Sequence, residues 1–104
     1  AWKKEEAKVL QVREKEMKEQ RMYLENFYAK DLDWWKDKIT DYELRITQGK
    51  DKEDVLMCKR IKSYLSLLAY MNYSSAKTAG NSERTQFSLN VYLIVDPENA
   101  AKIK

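Results

Sequence analysis

Side chains able to do chemistry are few in this chain and thinly spaced. Cys58 is the single thiol and there is no histidine, so nucleophilic or metal chemistry would rest on one cysteine and a set of carboxylates. Lys59 and Arg60 follow Cys58 directly and would favour a thiolate. A lone cysteine among apolar helical neighbours also fits a small buried or rim residue. Asp31, Asp33, Asp37 and Asp41 crowd one stretch, and Asp33 and Asp37 share a helical face. They alternate with Lys30, Lys36 and Lys38, and no Glu-x-x-His pair of the kind that builds metal sites in helical bundles accompanies them. Ion pairs on a solvated face are the simpler account. The inventory therefore points away from catalysis, and neither a metal nor a cofactor is expected.

Binding chemistry has more material. Seven tyrosines and three tryptophans stand among 104 residues. Tyr64, Tyr70 and Tyr73 fall close together, and with Tyr92 and Trp34 they could line a groove for a peptide or sugar, the rings supplying contact area and the hydroxyls direction. The plainer reading makes them amphipathic filler at the rim of a thin core. Lys52, Lys59, Arg60 and Lys62 form the densest basic group, but Glu53 and Asp54 lie among them. Twenty lysines and arginines against 17 acids leave a net charge of only +3, with the signs interleaved. Nucleic acid is not expected of that pattern.

The elements that must carry these residues are helices. Charged residues make up 36% of the chain, with one proline and two glycines to interrupt it, a profile of solvated helices rather than of tight turns. Tyr28, Leu32, Trp35, Ile39, Tyr42 and Ile46 recur alternately four and three apart, drawing one apolar stripe along a helix that stops at Gly49. Trp35 lies on the stripe and Trp34 beside it. The spacing predicts a long first helix over about Lys3 to Thr47, continuous through Asp31 and Asp33. Asp51 caps a second helix running to Ala79, with Met57, Ile61, Leu65 or Tyr64, Leu68 and Met71 facing the first helix. Gly49 is expected at the left-handed position that ends a helix, and Gly80 closes the second helix. Asn81 and Ser82 open a third helix over about Glu83 to Val95. Asp96 and Pro97 stop it and leave a short turn or frayed tail.

Length arithmetic predicts an all-α antiparallel three-helix bundle in one domain over residues 1–104, from which residues 1–20 extend as a helical overhang. Leu10, Met17 and Leu24 repeat every seven residues there, with Arg13, Glu14, Gln20 and Arg21 in the intervening positions, a sparse heptad that could be a coiled-coil edge. Trp2, Val9 and Val12 would assist it. Cys58 has no disulfide partner in the chain, and no apolar run approaches the ~20 residues needed to cross a bilayer. Residues 1–10 mix Lys3, Lys4, Glu5 and Glu6, so no signal peptide is visible there, and the compartment stays open.

Residues 65–99, with the Gly80 to Ser82 turn and the ending Asp96-Pro97-Glu98-Asn99, resemble a single tetratricopeptide repeat, a helical hairpin closed by an Asp-Pro turn. Aligned on Pro97, Ala69 and Tyr73 stand where that repeat prefers an aromatic and a small residue. Thr85, Leu89 and Tyr92 stand where it prefers alanine, an aromatic and alanine. No second copy follows at a period near ~34 residues. The resemblance implies protein or peptide binding without catalysis. The expected function is accordingly a non-enzymatic protein interaction or assembly module, acting through Leu10, Met17 and Leu24 on a protein partner or a second copy. A small-ligand module built on Trp34, Tyr64, Tyr70, Tyr73 and Tyr92 is the alternative.

Overall fold

The structure, a computed structural model, describes the backbone of residues 2–103 and the side chains of residues 10–103. Throughout this range it is a helical bundle of α1 (Trp2–Glu25), α2 (Leu32–Gln48), α3 (Lys52–Thr78), α4 (Ser82–Val95) and a short α5 (Pro97–Ala101). Trp2 and Val9, expected to assist the exposed seam, have side chains outside the described residues.

The expected long first helix is two helices. At Asn26 the side-chain amide donates to the Met22 carbonyl at 2.9 Å, and the chain turns until Asp31 caps α2 by accepting from the Trp34 amide at 2.8 Å. The cap supplies an acceptor for an amide that has no partner within the helix. Phe27 and Tyr28, inside the turn, bend inward, so Phe27 is buried and Tyr28 packs at the core edge. The apolar spacing stays in phase across the break because the turn residues also face the core. Periodicity therefore could not reveal the reversal.

With that reversal α1 folds back instead of projecting away. Glu16 pairs with Arg60 of α3 at 2.6 Å, and Val12 packs against the core. The expected overhang of residues 1–20 is thus shortened: positions 12 to 20 lie along α3. The bundle has four substantial helices, not three.

The remaining stops follow simple chemistry. Asp51 caps α3 through the Glu53 amide at 3.0 Å. Gly80 closes α3 as expected, taking φ of +73°, and the Asn81 amide reaches back to the Ala76 carbonyl at 2.9 Å, a left-handed glycine end. Gly49 does otherwise: its φ is −69° and ψ 137°, an extended conformation open to any residue. It is needed for space, since a Cβ there would collide with the Arg45 carbonyl oxygen and sit 2.9 Å from the Val55 methyl. Asn81 caps α4 through the Arg84 amide at 3.0 Å.

Met57, Ile61, Leu65 and Leu68 of α3 are buried as the periodicity requires, whereas Met71 is exposed. Val91 and Val95 face them from α4. The tail is docked, not frayed. Asp96 accepts from the side chains of Ser66 at 2.8 Å and Asn99 at 2.7 Å, Pro97 begins α5, and Ala100 is fully buried.

Candidate interaction surface

Two faces of α1 do different work. Tyr23 faces inward with Val12, Glu16 and Glu19. Its ring centroid lies 5.4 Å from that of Trp35 and 5.7 Å from that of Trp34. The Tyr23 hydroxyl lies 2.6 Å from that of Tyr42, and Tyr42 donates to the Glu19 carboxylate at 3.0 Å. Since the Tyr42 proton goes to Glu19, Tyr23 donates to Tyr42. Burial, the larger cause, and nearby carboxylates push the Tyr23 phenol up to about 12. Burial first, and the Glu19 carboxylate that accepts its proton, raise Tyr42 further still. Both hydroxyls therefore stay protonated and act as fixed hydrogen-bonding links.

The opposite face carries Leu10, Met17 and Leu24. Their exposures are 54%, 61% and 56%, so the three residues expected to be uncovered are uncovered. A 100° advance per residue places them together, roughly opposite the 12–16–19–23 face that docks on α2 and α3. Val12 does not assist this seam. It belongs to the inner face and is half-buried.

The members of the tyrosine and tryptophan set make separate contacts. Tyr92 is buried and its ring meets the exposed ring of Tyr70 at 5.9 Å. Tyr64 is half-buried at the core edge. Tyr73 is half-buried with Lys77 over its ring at 5.8 Å. Trp34 is half-buried on Tyr23 and Trp35, with Lys30 and Lys38 within 5.6 Å of its ring centre. Two cavities among the described residues lie between helices. One of about 420 Å³ lies between α1 and α3, walled by Val12, Leu56, Glu16 and Arg60. Another of about 460 Å³ lies between α3 and Asp96, with Ile46 and Lys62 at its walls.

The other candidates are structural. Arg60 and Lys62, read as a basic group, are engaged by Glu16 and by Glu43 at 3.4 Å. Arg45 forks between Asp54 at 2.6 Å and Asp41 at 3.3 Å. That hydrogen-bonded pairing holds the Asp54 carboxyl below the usual carboxylate range and Arg45 above its own. Cys58 is fully buried, and burial pushes its thiol up despite Arg45 nearby, the reverse of an activated nucleophile. No cluster of three or more metal-ligating side chains occurs among the described residues. No described helix is long and apolar enough to cross a membrane.

Sequence reasoning missed the Tyr23, Tyr42 and Glu19 chain. Tyr42 was on the stripe, but Tyr23 sits among charged residues, and only a turn after Glu25 brings the two together. Compared with protein-family models, curated proteins and solved structures, the chain matches none.

Proposed function

We propose that the protein is a non-enzymatic interaction or assembly module whose contact surface is the outer face of α1. The observation that carries this reading is the exposure of Leu10, Met17 and Leu24 in one line on a helix whose other face is already committed. Single exposed apolar residues are ordinary on a protein surface. Three at heptad spacing on one helix face are the pattern by which helices recognise helices. The α3–α4 hairpin, closed by the Asp96–Pro97 turn, supports a tetratricopeptide-like relation for the rest of the module, with α1 as an added helix.

Deleting residues 1–20 would be a poor test, because it also removes Glu16, Glu19 and Val12 from the inner face. The sharper variant replaces Leu10 and Leu24 by Gln and Met17 by Glu. Helix content and melting temperature should stay near wild type, while self-association and capture of any partner should fall by about tenfold or more. Unchanged assembly and capture in a folded variant would end this reading.

A further inference from the structure

The charges along the seam indicate what lies across it. Between the three apolar residues stand Glu14 and Arg21, so the line reads Leu10, Glu14, Met17, Arg21, Leu24 at alternating steps of four and three, the a/d spacing of a coiled coil. All five are exposed. Neither Glu14 nor Arg21 makes an ion pair among the described residues, unlike Glu16, which is spent on Arg60.

Resting on the reading of α1 as the contact surface, we propose that its occupant is the α1 helix of a second copy of this chain, packed antiparallel with Met17 on the two-fold axis. Reversing the line end for end leaves the apolar residues matched and exchanges the charges. Leu10 then meets the partner copy's Leu24 and Met17 its equivalent, while Glu14 stands one residue, about 1.5 Å of rise, from the level of the partner copy's Arg21, within reach of its long side chain, twice by symmetry. A parallel in-register pair would instead set Glu14 on Glu14 and Arg21 on Arg21, opposing like charges in both polar layers. The seam spans about 21 Å of helix. That is short beside a standard interface of about 1,600 Å², so the dimer is reversible and rises with concentration.

The orientation is testable by charge exchange in sedimentation equilibrium at low salt, where surface charges are least screened. Glu14→Arg alone and Arg21→Glu alone should each weaken the dimer roughly tenfold, because each turns both cross pairs repulsive. The double variant Glu14→Arg with Arg21→Glu should return to wild-type association. Mixing Leu10→Cys with Leu24→Cys proteins under mild oxidation should give a mixed disulfide dimer in preference to either homodimer. Circular dichroism checks that each variant is folded.

Three results would overturn the proposal. A dimer lost on Met17→Glu but indifferent to the single charge reversals, with Leu10→Cys linking to itself, means a parallel pair and leaves the wider reading of α1 standing. A dimer that survives Met17→Glu lies elsewhere on the molecule and sinks both. A wild-type monomer at the highest attainable concentration excludes a second copy, and capture by the Leu10, Met17 and Leu24 variant then judges the wider reading alone.

Discussion

The α1–α2 corner and the α3–α4 hairpin solve the same packing problem with different materials. At the corner, Tyr23, Phe27, Trp34 and Trp35 meet ring to ring, with centroids 5.3 to 5.7 Å apart, and hydroxyls tie Tyr23 to Tyr42 and Glu19. In the hairpin, small and aliphatic residues do the work: Ala69 and Ala76 let α4 approach, and Leu65, Leu68, Val91 and Val95 fill the seam. Rings bridge a wide gap and add directional bonds, which suits a helix with one face to dock and one to leave open. Aliphatic packing tolerates few gaps and suits the most extensive helix contact in the molecule.

Breaking the corner should cost most. Trp35→Ala removes a fully buried indole that touches Tyr23, Phe27 and Trp34, and should destabilise by about 3–5 kcal/mol. Urea melts should show this. Release of α1 before the hairpin unfolds would appear as early loss of amide protection in residues 12–25. The hairpin should fail in the opposite sense, by crowding. Ala69 is fully buried, so Ala69→Leu overfills the seam and should cost about 1–3 kcal/mol, while Tyr23 tyrosinate formation stays at its wild-type pH.

The alkaline limb sharpens the comparison further. Tyr23 is raised from 10.0 to about 12 in the folded chain, so the folded state holds a proton that the unfolded state releases. This contribution is complete below the unfolded value and is lost as pH climbs through the window between about 10 and about 12. Stability should fall there by on the order of 2 kcal/mol. Tyr42, raised beyond Tyr23, loses stability over the same window and above it, so Tyr23→Phe should lessen the fall there without abolishing it, at a cost near neutrality of about 1 kcal/mol for the lost hydrogen bond. An identical alkaline limb in wild type and variant would show that the Tyr23 hydroxyl does not set it.

Much of the fold was legible residue by residue. Met57, Ile61, Leu65 and Leu68 follow the helical period and are buried, Asp51 and Asn81 cap where capping chemistry places them, and Gly80 takes the positive φ of a helix end. The turn between Asn26 and Asp31 was not legible. It contains neither glycine nor proline, and Phe27 and Tyr28 keep the apolar phase through it. Tyr23 was likewise hidden, because Glu16 and Glu19, which share its face, are charged residues that become inward only once Arg60 and Tyr42 receive them.

Local matters are settled along the chain: helix, cap, stop, and the heptad spacing of Leu10, Met17 and Leu24. These depend on residues within a turn or two of one another, so their physics is written in order along the chain. It took the tertiary structure to decide that α1 folds back and that Tyr23 reaches Tyr42. Those outcomes depend on which polar groups find distant partners. The outer seam joins both kinds: its spacing is local, and its exposure exists because α2 and α3 take the other face.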